Sequence, residues 1–178
     1  LTDESQRFLE ATRKAEDMAF QSMLERALRV FTKRLAGLLD AERASLLLID
    51  EERQELIMRI SQDLEGDKEV RIPIGEGIAG VVASSGEAIR IDDAYADSRF
   101  NPKIDQKSGF RTRSILCLPL RDQSGKVFAV TQLLNRKDGE PFDVADEQKF
   151  VQFADSLGVI LEALHRLHSD SVSDRRTP

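Results

Sequence analysis

The sequence predicts an α+β fold, one layered domain in which an antiparallel sheet is covered by helices. Three observations carry that prediction. Two pairs of strand-sized apolar runs are each joined by a short polar turn, which is the pattern of a hairpin. Long helical stripes stand at the two ends of the chain. No regular alternation of strands with helices surrounds the middle, as a parallel sheet would require. A chain of 178 residues is long enough for one core-bearing domain with extensions and short for two full domains.

In chain order, residues 3–39 read as helix: Leu24, Leu28, Phe31, Leu35 and Leu38 recur at steps of four and three, and no Pro or Gly precedes Gly37. Residues 1–22 are set apart as a helical extension for dimerisation or signalling, the stretch Leu1–Asp17 being the more polar. Ser45–Asp50 and Glu55–Ser61 form a hairpin around Glu51-Glu52-Arg53-Gln54, with Ser45 opening the first strand. Glu69–Ile74 is a third strand, and Pro73 assigns it to an edge or irregular position because proline has no amide to donate. Short helices fall between residues 77 and 110. Ser114–Leu120 and Lys126–Leu134 form a second hairpin around Asp122-Gln123-Ser124-Gly125, where Gly supplies a positive φ.

Asp146-Glu147 opens the last helix, in which Phe150, Phe153, Leu157, Ile160, Leu164 and Leu167 follow three-four-three-four-three spacing. Such a seam has two readings: the helix packs on its own sheet, or it joins the first helix in a parallel dimer that carries a signal to a neighbouring domain. Residues 166–178 read as a polar, disordered linker.

Charge and composition exclude several classes. Net charge of −6 and pI near 5.1 oppose a phosphate-tracking surface, so nucleic acid is not an expected partner. The longest apolar runs are strand-sized, well under the roughly 18–20 residues of a membrane helix, and no signal-peptide pattern follows Leu1, itself suggestive of a piece of a longer polypeptide. The single cysteine, Cys117, rules out an internal disulfide and suits a reducing, cytoplasmic compartment. His165 and His168, the only histidines, lack a partner cluster for a metal site. No G-x-S-x-G elbow is present, and catalysis by this chain is not expected.

Gly75-Glu76-Gly77-Ile78-Ala79-Gly80 spells a literal G-x-G-x-x-G. A dinucleotide fingerprint needs a βαβ unit around it, whereas here the strand before it contains Pro73 and the helix after it is closed by Ser84-Ser85-Gly86. Two uses remain open. A glycine turn opening a short helix aims backbone N–H groups outward, which favours an anion; or it is a plain tight turn into a core helix.

Further along, Asn135-Arg136, Phe142 and Asp146-Glu147 stand behind Gly109-Phe110-Arg111-Thr112-Arg113-Ser114-Ile115-Leu116-Cys117-Leu118-Pro119-Leu120. In that order these motifs resemble the cyclic-nucleotide-binding GAF domains of phosphodiesterases and cyanobacterial adenylyl cyclases, over residues 23–165. The resemblance implies a GAF sandwich, with terminal helices on one side of the sheet and short helices and a lid on the other. It implies a regulatory sensor, a fragment of a signalling enzyme such as a nucleotide cyclase, phosphodiesterase or kinase. By the same resemblance the ligand is a cyclic nucleotide contacted by Ser45, Ile78, Ala79, Ser108, Thr112 and Gln132. No cofactor is implied, and Asn135, Arg136, Phe142, Asp146 and Glu147 are supports behind the pocket, with Arg136 standing where the family has lysine and pairing with Asp146.

The chain departs from the family's tight cyclic GMP binder at Gln132, acidic there, and at Ser61-Gln62, an aromatic followed by an acid there. Val130-Thr131-Gln132-Leu133-Leu134-Asn135 lies nearer the cyclase sensors, so cyclic AMP is the expected ligand. Residues 92–110 suit a lid, and Arg111 and Arg113 are charged candidates for a phosphate unless they are salt-bridged. The alternatives are a ligand-free GAF dimerisation scaffold and a GAF sensor of another small molecule.

Overall fold

A computed structural model describes residues 3–61, 70–122 and 124–156. The N-terminal stripe becomes α1, Asp3–Leu38, and Asp40 then takes a left-handed φ of 47° that turns the chain into the sheet. Six strands follow, β1 Ala41–Asp50, β2 Glu55–Ser61, β3 Val70–Pro73, β4 Ile89–Ile91, β5 Ile115–Arg121 and β6 Val127–Arg136. Their order is β3-β2-β1-β6-β5-β4, and each described pairing is antiparallel. Helices α2, Gly77–Ser85, and α3, Lys103–Ser108, with a 3-10 turn at Ala94–Ala96, fill the connection either side of β4. Helix α4 covers residues 144–156 within the described part. Pro73 ends the edge strand, where its missing amide leaves no ladder bond unmade.

Period-two alternation assigns the two faces of the sheet. Ala44 and Leu46 of β1, Leu116, Leu118 and Leu120 of β5 and Leu133 of β6 form one core with Leu28, Phe31 and Leu35 of α1 and Phe150 and Ala154 of α4. The Phe31 and Phe153 rings stack there at 4.8 Å, so the two terminal helices meet over the same face. The neighbouring residues Leu47, Ile115, Cys117 and Val130 face the other way and pack with Ile78, Ala79 and Val82 of α2 and with Ala94. The architecture is therefore an α+β sandwich with long helices on one side and α2 with the 92–110 connection on the other.

Several expectations need correction. Ser45 lies in the middle of β1, which begins at Ala41; the charged pair Glu42-Arg43 disguises the start of the strand, and both side chains turn out to be held by partners described below. Leu38 drops out of the buried stripe at 50% exposure, because α1 ends there and Leu39 turns inward in its place. Strand β4 carries too short a signal, three residues, to be read from the sequence. Glu69, Gln123, the seam from Leu157 to Leu167, both histidines and the tail from 166 onward lie outside the described residues, and the side chain of Leu24 is likewise not described.

The glycine motif has a structural explanation. Gly75 and Gly77 adopt positive φ, 91° and 64°, and a Cβ on Gly80 would stand 2.6 Å from the carbonyl oxygen of Pro73. Two backbone bonds close the turn, Gly75 N–H donating to Gly80 O at 2.8 Å and Gly80 N–H to Glu76 O at 3.1 Å. The turn thus needs glycine for backbone conformation and for close helix–strand approach. Gly80→Ala should cost about 1–3 kcal/mol in urea unfolding, since the obstructing atom is backbone and cannot swing away. Gly37→Ala, at a helical position with nothing within 4 Å of the added carbon, should instead gain about 0.5–1 kcal/mol.

Candidate functional site

On the α2 side, register brings a row of residues side by side across the sheet: Ser61 opposite Ser45, Ser45 opposite Gln132, Gln132 opposite Cys117 and Cys117 opposite Ile89. Gln132 lies between Val130 and Leu134, both in the α2-side core, so its carboxamide shares that face. Among the described residues neither the Ser45 hydroxyl nor the Gln132 carboxamide hydrogen-bonds to protein. Cys117 is wholly buried, and burial pushes its thiol far above the ordinary range, leaving it an inert part of the floor. The side chains of Ser61 and Gln62, where the resemblance would put a base-stacking pair, are not among those described.

Helix α2 begins at the edge of this floor. Its N-cap, Glu76, is extended and caps with no side chain, so the first-turn amides, including Ile78 and Ala79, are left to whatever lies beyond the helix end. Beside it comes the 92–110 connection: the Arg99 carbonyl lies 3.9 Å from where a Gly77 Cβ would be, and the Phe100 ring packs into the α2-side core and against Tyr95, centroids 5.1 Å apart. The sequence lid is thus a short 3-10 turn, a tight turn at Asp97–Arg99 and α3. Arg99 binds Asp97 in two-pronged fashion, Nε to Oδ1 at 2.9 Å and Nη2 to Oδ2 at 2.6 Å, which holds the Asp97 carboxyl down to about 2.

The limb returning from the lid to β5, residues 110–114, is not in the sheet. Each of its residues is fastened by a different side chain. The Arg43 guanidinium lies over the Phe110 ring at 3.6 Å, and Arg111 lies over Tyr95 at 4.3 Å. Thr112 donates twice to Asp105 of α3, N–H to Oδ2 at 2.7 Å and Oγ1 to Oδ1 at 2.8 Å. Arg113 reaches Glu42 on β1 at 2.7 Å, and so is salt-bridged instead of free for a phosphate. Ser108 is exposed and serves the end of α3, accepting from the Phe110 amide at 3.3 Å.

Asn135 is the common anchor. Fully buried at a left-handed φ of 53°, it accepts on Oδ1 from the Arg113 and Ser114 amides at 2.6 and 3.2 Å and donates through Nδ2 to Glu42 and to the Arg111 carbonyl, both at 2.9 Å. Burial works against the charge on Glu42, but its hydrogen bonds from Arg113 and Asn135 prevail and hold its carboxyl below the ordinary value.

Arg136, next in sequence, points the other way. Its Nη1 meets Asp146 Oδ2 at 3.0 Å and its Nη2 meets Asp138 at 2.6 Å. Asp146 in turn completes a capping box with Asp143: Asp146 N–H donates to Asp143 Oδ1 at 2.8 Å and Asp143 N–H to Asp146 Oδ2 at 3.1 Å. Phe142 is buried under α1 and α4, and Glu147 pairs with Arg90 of β4 at 3.0 Å.

Of the sequence-predicted contacts, Ser45, Ile78, Ala79 and Gln132 therefore line one region on the α2 side. Thr112 sits in the limb that bounds the lid, and Ser108 is at the surface. Asp105 and Tyr95 were missed; an acid inside a six-residue helix and a tyrosine in a polar loop carry no spacing signal. Among the described residues no group of three or more His, Cys, Asp or Glu is placed to hold a metal ion.

A six-stranded antiparallel sheet with long helices on one face and a helix-and-loop layer on the other is the α+β sandwich in which this site sits. The chain belongs to the GAF domain family, whose model matches residues 23–161. It is similar to the dual 3',5'-cyclic-AMP and -GMP phosphodiesterase 11 of Drosophila melanogaster, 39% identical over 137 residues, and to the probable 3',5'-cyclic phosphodiesterase pde-5 of Caenorhabditis elegans, 41% identical over 135 residues. These matches cover 68% and 70% of this chain but only 9% and 18% of the relatives. The GAF domain of a phosphoenolpyruvate-protein phosphotransferase from Coxiella burnetii shares the fold, with a TM-score of 0.71 at 23% identity over 82% of this chain and 86% of that one.

Asn135→Ala should lower unfolding stability by about 3 kcal/mol or more, because it strands two amides, a carbonyl and one oxygen of Glu42 at once. Urea unfolding checks the value. The Asp97–Arg99 pair yields a pH signature. Since the folded-state value of about 2 lies below the ordinary 3.8, the contribution of Asp97 is present above pH 3.8 and lost as pH falls through about 2. Melting temperatures of wild type and Asp97→Asn should differ at neutral pH and converge toward pH 2.

Proposed function

We propose that this GAF domain is a regulatory sensor that takes a cyclic nucleotide, cyclic AMP in the first instance, between the Ser45–Gln132 row and the lid. The observation that carries the reading is the coincidence, at one place, of a helix N-terminus without a side-chain cap and two polar side chains that, among the described residues, bond to no protein group, on an otherwise apolar floor. A cyclic phosphate is a compact monoanion suited to helix-end amides at Ile78 and Ala79, and the sugar suits the apolar floor. A carboxamide offers a donor beside an acceptor, the arrangement that matches the amine and ring nitrogen on an adenine edge, which favours cyclic AMP at Gln132. Similarity to segments of two cyclic-nucleotide phosphodiesterases supports the same ligand class.

The signal leaves through the terminal helices. Arg136 joins the limb anchored by Asn135 to the capping box that starts α4, so a shift of the lid bears on the root of an output helix. A longer signalling enzyme is the natural setting for such a module. Phe8, Leu9 and Met18 on α1 are exposed and favour, as a second reading, a homodimerising scaffold built on that helix.

Thermal unfolding separates the readings. A hundredfold excess of cyclic AMP over its dissociation constant should stabilise the domain by about 2.7 kcal/mol. Cyclic GMP should do less, and no shift with either nucleotide would leave the scaffold standing.

A further inference from the structure

Helix α1 is 36 residues long, yet among its described side chains each buried one stands at Leu28 or beyond. The preceding stretch, about seven turns, contributes no described side chain to either core. Helices in water draw most of their stability from a packed face and not from propensity, so this stretch calls for a partner.

A second apolar stripe runs along α1 on the side opposite the buried one. Phe8, Ala15, Ala19, Met23 and Val30 recur at steps of seven, four, four and seven, which keeps them on one face of an α-helix. All five are exposed, Phe8 at 71%, Met23 at 50% and Val30 at 55%. Their spacing reads the same in both directions from Ala19, but the charges bordering the stripe do not. Before Ala19 they are Glu4 and Glu16; after it they are Arg26, Arg29, Lys33 and Arg34.

One end of the stripe is thus acidic and the other basic, with apolar positions mirrored about the middle. Such a face is complementary to a second copy of itself turned end for end about a two-fold axis, which is the condition for an isologous contact. We propose that two chains pair antiparallel through this face of α1, with Ala19 on the axis. Residues equally far from Ala19 then stand opposite each other: Phe8 meets the partner's Val30, Ala15 meets the partner's Met23 and Glu4 meets the partner's Arg34.

A parallel pair would instead set the four cations of one copy beside the same four of the other, and like charges so placed oppose association. Because each sheet lies behind its own buried stripe, the antiparallel pair leaves both sheets and both candidate sites uncovered. The proposal rests on self-association through α1, the second reading above, adds orientation and register to it, and holds whether or not a nucleotide binds.

Sedimentation and disulfide trapping test the pairing. The chain should sediment as a dimer that dissociates on dilution. Added salt should weaken this dimer, whereas it would strengthen a parallel one. Val30→Asp should abolish the dimer and leave the helix content seen by circular dichroism intact. Glu4→Arg and Arg34→Glu should each weaken association about threefold to tenfold, and the two together should restore it. Ala15→Cys and Met23→Cys chains, mixed and oxidised, should trap the mixed disulfide and neither homodisulfide, since like positions stand about 12 Å apart along an antiparallel pair. Cys117 is buried and does not compete.

A monomer at every concentration overturns the proposal together with the scaffold reading. Homodisulfides of Ala15→Cys or Met23→Cys, or a dimer indifferent to Val30→Asp, overturn the antiparallel pairing and leave the scaffold standing. The cyclic-nucleotide reading is tested apart from both, by the thermal shift with ligand.

Discussion

Asn135 is placed where a backbone requirement and a hydrogen-bonding requirement coincide. β6 must turn sharply at its end, and a left-handed φ at that point is tolerated by asparagine far better than by branched or bulky residues. The side chain that tolerates it also has two donors and an acceptor oxygen with two lone pairs, and all are used to hold residues 111–114 beside the sheet without a ladder. Without that anchor the limb carrying Thr112 would have unpaired buried amides, and the lid would lose one of its two attachments to the sheet. Arg136 extends the same anchor to α4 through Asp146.

The sheet separates two tasks. Its helix-side face is filled by leucines, alanines and phenylalanines from β1, β5, β6, α1 and α4, a core that stabilises the domain whatever happens opposite. The other face carries an apolar floor broken by Ser45 and Gln132 and is roofed by a lid whose internal bonds are mostly polar. Polar contacts of that kind contribute little net stability and break at little cost. The glycine turn at the mouth is shaped by steric necessity, yet the same geometry leaves the α2 amides uncapped.

Much of this was legible in the residues. The hairpins, the edge position of the proline strand and the helix start at Asp143–Glu147 follow from turn chemistry and period-two patterning, and the Arg136–Asp146 bond is the one the family resemblance implies. The start of β1 was not, because Glu42 and Arg43 look like surface charges until Asn135, Arg113 and Phe110 are brought to them from distances of 67 to 93 positions along the chain. Asp105 was invisible for a similar reason. An acid in a polar loop is the commonest of surface residues, and only the folded lid shows it buried beneath Tyr95 and Thr112.

The sequence by itself determined the class of fold, the two-faced patterning of the strands and the family, since each depends on local periodicity or on residues a fixed few positions apart. Tertiary structure alone decided which polar side chains find a protein partner and which do not. Arg113 pairs with Glu42 and the Thr112 hydroxyl with Asp105, while among the described residues the Ser45 and Gln132 side chains bond to no protein group. The reason is that a hydrogen-bonding group has a limited valence, and whether it is filled depends on neighbours that only long-range packing supplies.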